Sequence, residues 1–101
     1  MERGTNPLII LNLHTDLDLS TVRTARVVVS SEAETHKIAY DNITIDSEEK
    51  TATFQMSQED TLSFYPGKIK IQLRIKFQNG SVKASKIIKT NLYDCLEDVV
   101  I

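Results

Sequence analysis

The chain has 101 residues, of which 41% are hydrophobic and 26% are charged, and its formal net charge is -2 at pH 7. This length predicts a single domain over residues 1–101, and both fractions are ordinary for a folded protein, which excludes wholesale disorder. The near balance of charges excludes a histone-like or generally cationic nucleic-acid binder.

The first half of the chain predicts short strands separated by polar turns. Residues 8–13 are an apolar run that follows a proline, and residues 22–31 are rich in β-branched side chains. Both patterns indicate strands. A weaker alternation of apolar and polar residues indicates further strands at residues 34–41, 42–46 and 51–56.

The second half predicts one short helix followed by a hairpin. Ser57 has the form of a helix N-cap, and Pro66 limits the helix to one or two turns. Residues 68–77 alternate without exception, which is typical of a half-buried antiparallel strand. Asn79-Gly80 predicts a two-residue type I′ turn, and residues 81–90 form the return strand. The side chains expected in the core are Ile69, Ile71, Leu73, Ile75 and Phe77.

The two-residue turn also predicts a register for the hairpin. It places Lys76 opposite Lys83, an unfavourable pair of like charges, and Leu73 opposite Lys86, which does not suit a core position. We expect a bulge near Lys86 that turns Ile87 inward.

The fold class follows from these elements and from composition. Val, Ile and Thr number 28 and Ala and Leu number 14, which favours strands because β-branched side chains lose freedom in a helix. Several short strands at regular spacing predict an all-β protein, an antiparallel immunoglobulin-like β-sandwich with one short helix. Residues 8–11 are the longest apolar run, far below the roughly 20 residues of a membrane helix. With no secretion-signal pattern at the start, we expect a soluble protein made in the cytoplasm, with no membrane partner.

No pattern indicates catalysis or metal binding. The two histidines are 22 residues apart and the single cysteine, Cys95, is distant from both. Asp16-x-Asp18-x-Ser20 resembles the start of a calcium loop, but Thr21 stands where such a loop needs glycine. Three glycines in all exclude a phosphate-binding loop. We predict no enzyme activity, no cofactor and no small-molecule substrate.

The charge layout is the most unusual feature of the sequence. Residues 68–91 hold seven basic residues and no acidic one, whereas the rest of the chain holds five basic and fourteen acidic residues. This segment forms a solvated face balanced by acidic strands nearby, or it docks on an acidic protein surface. Nucleic acid is the weakest alternative, because no aromatic residue interleaves with the lysines. The candidate partner-binding residues here are Lys68, Lys70, Arg74, Lys76, Lys83 and Lys89.

The last ten residues carry a second candidate surface. Six apolar residues and three acidic ones lie within residues 92–101, and exposed apolar clusters promote association. The segment either packs on its own sandwich or docks on a neighbouring subunit. We expect docking through Leu96, Val99 and Ile101, because the predicted strands already supply enough apolar residues for a core.

Motifs along the chain resemble those of one family. The opening has the form M-x-R-G-T-x-P, residues 56–62 read MSQEDTL, and residues 66–68 read PGK before an I-Q-L-R-I strand. Residues 84–90 read ASKIIKT and residues 96–101 read LEDVVI. The pattern resembles a family of small proteins encoded by temperate phages and prophages of Gram-positive bacteria. It is also similar in plan to the N-terminal β-sandwich domains of phage baseplate upper proteins.

The resemblance implies a role and a setting. The role is a non-enzymatic structural or tail/baseplate assembly module, whose partners are other phage structural proteins or further copies of itself. The setting is the virion, after synthesis in the host cytoplasm. The alternative is a small accessory protein that binds host-surface glycan or nucleic acid, for which an exposed platform of Tyr40, Phe64 and Tyr65 would argue.

Overall fold

Two antiparallel sheets and one short helix make up the computed structural model, which describes residues 1–32, 36–97 and 99–101. Helix α1 spans Gln58–Ser63, and a single 3-10 turn spans Leu19–Thr21. The strands are β1 (Leu8–Asn12), β2 (Val22–Ser31), β3 (Lys37–Tyr40), β4 (Thr44–Asp46), β5 (Thr51–Gln55), β6 (Gly67–Phe77), β7 (Val82–Ala84) and β8 (Ile88–Leu92). The predicted all-β class with one short helix is confirmed. The start of the strand predicted at residues 34–41 lies outside the described residues.

The core lies between the two sheets. The first sheet has the order β1-β5-β4, and the second has the order β3-β2-β6-β7, with β8 also paired to β6. Because side chains alternate along each strand, one face of each sheet contributes to the core and the other faces solvent. The prediction that five residues of β6 are buried, Ile69, Ile71, Leu73, Ile75 and Phe77, is confirmed. The core residues from both sheets include Leu11, Val27, Val29, Ala52, Phe54, Ile69, Ile71, Leu73, Ile75 and Phe77.

Helix α1 connects the two sheets, and its start is the one predicted. The Ser57 hydroxyl accepts a hydrogen bond from the Asp60 N–H at 3.1 Å, which satisfies a donor that the first helical turn leaves free. The helix ends before Phe64, which is buried. No helix among the described residues is long and apolar enough to cross a membrane.

The turn between β6 and β7 is longer by one residue than predicted. The Gly80 N–H donates to the Phe77 carbonyl at 2.9 Å, and the Phe77 N–H donates to the Ser81 carbonyl at 2.9 Å. This is a three-residue loop in which Gly80 has a φ of 88° and forms a bulge. The two-residue type I′ turn is therefore wrong, although glycine is required for the same reason, a positive φ.

We expect Gly80→Ala to lower the free energy of unfolding by about 1 to 2 kcal/mol, because an L-residue is strained in the left-handed region. A Cβ at this position would meet no atom within 4 Å, so crowding adds nothing. Urea denaturation followed by circular dichroism measures the loss. Gly80→Asn is the control and should cost less, because asparagine tolerates positive φ. Equal stability of the alanine variant would contradict the loop conformation.

The longer loop shifts the register of β7 by one residue. Lys83 lies opposite Ile75 and Val82 lies opposite Lys76, so the predicted Lys76–Lys83 pair does not form. The side chain of Lys83 is therefore on the inner side of the sheet, at its edge. The remainder of the predicted register, in β8, is correct.

An irregular segment, residues 85–87, separates β7 from β8 where a bulge was predicted. Two hydrogen bonds from Ser85 to the Leu73 backbone take the place of the regular backbone bonds between strands. The Ser85 hydroxyl accepts from the Leu73 N–H at 3.0 Å, and the Ser85 N–H donates to the Leu73 carbonyl at 2.8 Å. Ile87 is more than half exposed, so the prediction that it turns inward is wrong. The bulge removes Lys86 from the position opposite Leu73 without bringing another side chain into the core.

The first residues of the chain are tied to the end of β8. The Tyr93 N–H donates to the Met1 carbonyl at 2.8 Å, and the Arg3 N–H donates to the Tyr93 carbonyl at 2.9 Å. The Arg3 side chain is buried and donates to the carbonyls of Phe64 and Leu62, at 2.7 and 3.0 Å. It also donates to the Asp94 carboxylate at 2.7 Å. Arg3 thus joins the start of the chain, the end of α1 and the segment after β8.

Candidate interaction surfaces

The outer face of the second sheet is strongly basic. We call this surface the basic face and define it by seven side chains on adjacent strands. Across the strands, Arg26 lies opposite Arg74, and Lys70 lies opposite Lys89. Like charges in directly opposite positions are unfavourable, so these pairs lower the stability of the sheet. The residues of the basic face are Arg26, Lys37, Lys68, Lys70, Arg74, Lys76 and Lys89.

Acidic residues neutralise only part of the basic face. Arg26 lies 3.7 Å from the Asp41 carboxylate, and Lys89 lies 3.4 Å from the Glu32 carboxylate, both in exposed positions. Among the described residues, the other five cations of the face form no ion pair. Exposed pairs contribute at most about 1 kcal/mol each, so the face keeps most of its positive potential.

The structure brings most of the predicted basic residues together and separates one. Lys68, Lys70, Arg74, Lys76 and Lys89 all lie on the basic face. Lys83 does not, because the shifted register of β7 turns it to the other side of the sheet. Two members, Arg26 and Lys37, were missed by the sequence analysis. They lie outside residues 68–91, and only the pairing of β2 with β3 and β6 brings them to this face.

A groove opens on the side of the protein where the two sheets part. We call it the side groove: it has a volume of about 670 Å³ and lies between β1 with its following loop and the β7–β8 region. Leu73 and Ile75 form its floor, and Lys83 and Lys86 lie at its rim. None of its lining residues is acidic. An apolar floor with a cationic rim suits a ligand that is apolar and negatively charged.

The segment after Asp94 does not join the core. Leu92 is buried at the end of β8, but Leu96 and Ile101 are fully exposed. We call residues 96–101 the tail. Its last residue lies beside α1, where Gln58 exchanges hydrogen bonds of 3.0 and 3.2 Å with the backbone of Ile101. These bonds hold the backbone of the tail and leave its apolar side chains in solvent. Packing on its own sandwich, one of the two predicted outcomes, therefore applies to Leu92 and not to the tail.

A serine and a histidine that are distant in sequence meet beside α1. The His36 Nε2 lies 2.9 Å from the Ser63 hydroxyl, which the sequence analysis missed because 27 residues separate them. The Ser63 hydroxyl donates its only proton to the Asp60 carbonyl at 2.6 Å. The histidine must then donate to the serine, which is opposite to the proton transfer that a general base performs on a nucleophile.

The aromatic residues considered for glycan or nucleic-acid binding do not form a shared platform. Phe64 is buried and packs against His36 in a tilted arrangement, with ring centres 4.7 Å apart. Tyr40 is half-buried and donates to the Asp60 carboxylate at 2.7 Å. Burial, and next the hydrogen bond to Asp60, raise the pKa of the Tyr40 hydroxyl far above its ordinary value. Only Tyr65 of the three is exposed.

The loop that resembles the start of a calcium site has a local structural role. The Asp18 carboxylate accepts from the N–H and the hydroxyl of Ser20, at 3.0 and 2.6 Å, and thereby caps the 3-10 turn. These two bonds lower the pKa of Asp18. No group of three or more potential metal ligands occurs within residues 1–32, 36–97 and 99–101.

Two surfaces and one groove are therefore the candidate sites: the basic face, the tail and the side groove. All three suit contacts with macromolecules, because they are wide, open and formed by charged or apolar side chains. No protein-family model, curated protein or solved structure matches the chain.

Proposed function

We propose that this protein is a non-enzymatic interaction module that acts through protein–protein contacts, as a structural or tail/baseplate assembly component of a phage particle. The observation that carries the proposal of protein contacts is the basic face, seven cations on one side of a chain whose net charge is -2. The phage setting rests on the sequence resemblance. We further propose that the two sheets form an immunoglobulin-like sandwich.

An acidic protein surface is the partner that this face suits. Cations on strands are fixed in rows, so a partner with carboxylates in matching rows gains both orientation and association rate. The half-buried Val28 and the exposed Val82 lie among the cations and add apolar contact area. Nucleic acid stays the alternative, since phosphates also attract lysines, but none of the seven residues that define the face is aromatic and able to stack on bases.

Reversal of single charges tests the proposal. In an induced lysogen that encodes the chain, the tagged protein is expected to co-sediment with phage particles. Lys70→Glu or Lys76→Glu should lower the co-sedimenting fraction several-fold. Raising the salt concentration should have the same effect on the unchanged protein, because salt screens exposed charges.

The matched control is Arg23→Glu, which makes the same change of charge near Ile45 and Ser47, away from the basic face. It should leave co-sedimentation unchanged. A protein that is absent from the particles would overturn the phage setting. Salt-sensitive binding to a 20-base-pair duplex that Lys70→Glu abolishes, without incorporation into particles, would favour the nucleic-acid alternative.

A further inference from the structure

The side groove and the tail are complementary to one another in chemistry. The groove has an apolar floor, two lysines at its rim and no acidic lining residue. The tail has four apolar residues, Leu96, Val99, Val100 and Ile101, and between them two acidic ones, Glu97 and Asp98. Each surface by itself exposes apolar area to water, which costs free energy that mutual burial would recover.

The two also match in length. The wall of the groove that β1 and its loop provide includes the six consecutive residues from Ile10 to Thr15. The tail is six residues long as well, and six residues in extended form span about 20 Å. An extended tail can therefore lie along this wall from end to end.

Residues 96–101 of one chain reach only the near end of the groove of the same chain. The tail leaves the fold near Cys95, which packs beside Gly4, beyond the pair that Leu92 forms with Gly67. The near end of the groove is Ile88, four residues before Leu92 on β8, whereas Ile75 on the groove floor lies eight residues along β6 from Gly67, or about 26 Å. Six extended residues span about 20 Å, so occupation of the whole groove requires the tail of a second copy.

We infer that the tail of one copy docks in the side groove of a second copy, with Glu97 meeting Lys83 at the rim. Two copies exchange tails reciprocally, because an isologous exchange closes on itself and satisfies both grooves. The Gln58 bonds to Ile101 then hold the tail in the free chain and are released in the dimer. The inference deepens the proposed function, on which it rests, by naming one partner as the protein itself.

Sedimentation equilibrium of the full chain tests the inference, and it is expected to show a dimer. Val99→Asp with Ile101→Asp should abolish this dimer without unfolding the chain, because both side chains are exposed. Lys83→Glu should weaken it about tenfold, since each of the two rim contacts changes from attraction to repulsion. Adding Glu97→Lys to Lys83→Glu should restore much of the affinity.

Lys76→Glu is the matched control, since Lys76 is on the same hairpin but on the opposite face of the sheet. It should leave the dimer intact, whereas the proposed function predicts that it impairs incorporation into particles. The two proposals can therefore fail separately. A chain that stays monomeric, or a dimer that is indifferent to both the tail and the Lys83 variants, would overturn the inference.

Disulfide trapping locates the contact. In a Cys95→Ser background, Val99→Cys combined with Lys83→Cys, whose side chain is on the groove side of β7, should give a covalent dimer on a non-reducing gel. Val99→Cys combined with Ala39→Cys, which lies on the outer face of β3, should not. A disulfide between residues 83 and 99 within one chain would overturn the inference.

Discussion

Replacement of Leu73 by alanine is expected to lower the free energy of unfolding by about 2 to 5 kcal/mol. Leu73 is buried at the middle of β6, opposite Val27, and its side chain belongs to the core that both sheets share. The loss combines the transfer of the missing carbon atoms to water with the cavity that remains. The Leu73 side chain also forms the floor of the side groove, so partial collapse of that open groove should place the value in the lower half of this range.

The control is Arg74→Ala, a substitution of the next residue along the strand. Urea denaturation measured by circular dichroism gives the free energy of unfolding of both variants. Arg74 is exposed on the basic face opposite Arg26, so its removal should change the free energy of unfolding by no more than about 0.5 kcal/mol. Any change should favour stability, because a like-charge pair is relieved. Equal losses for the two variants would contradict the orientation of β6.

Arg3→Ala is the second variant for which we expect a large loss, about 2 to 4 kcal/mol of unfolding free energy. The buried guanidinium satisfies the carbonyls of Leu62 and Phe64 at the end of α1, and alanine would leave them without this charged donor. Hydrogen bonds to a charged group contribute more to stability than neutral ones do. A buried carbonyl that loses its donor also adds an unfavourable desolvation free energy. Arg3→Lys should recover only part of the loss, because an ammonium group cannot reproduce the planar fork that reaches Leu62, Phe64 and Asp94.

Asp94, the acidic acceptor of the Arg3 side chain, gives this cluster a pH dependence. The hydrogen bond from Arg3, followed by one from the Cys95 N–H, lowers the pKa of Asp94 below its ordinary value of 3.8. A group whose pKa is lower in the folded state stabilises the protein above its unfolded pKa, and this contribution disappears as pH falls through the folded pKa. Asp94→Ala should thus be less stable than the unchanged protein at neutral pH. The difference should shrink as pH falls below 3.8, the ordinary pKa of the group, and disappear once the carboxylate is protonated in the folded protein. A difference that is the same at pH 2 as at pH 7 would contradict the ionic role of Asp94.

The elements that the sequence predicts well are those where one strong local pattern decides the structure. The unbroken alternation of β6 and the N-cap at Ser57 both correspond to the observed bounds. In each case the physical cause, the two-residue period of a strand or the free N–H groups of a first helical turn, acts within a few residues.

The features that the sequence does not predict depend on the exact length of a loop or on pairing between residues distant in the chain. One extra residue in the loop at Gly80 reverses the face of Lys83, and a period of two makes any such shift reverse every side chain in the strand. Arg26 and Lys37 join the basic face only because β2 lies between β3 and β6. The ion pair between Arg3 and Asp94 joins residues 91 positions apart, so no local sequence pattern predicts it.

The Arg3 cluster also has a consequence for the order of events during synthesis. Arg3 leaves the ribosome before its acceptors, which lie 59, 61 and 91 positions later in the chain. The cluster therefore cannot form completely until Asp94 has emerged. Domains dominated by such distant contacts fold in milliseconds to seconds, far more slowly than helical bundles. Until then, the apolar side chains of the nascent strands stay exposed to solvent. During this interval chaperones bind, and a stalled or shortened chain would aggregate.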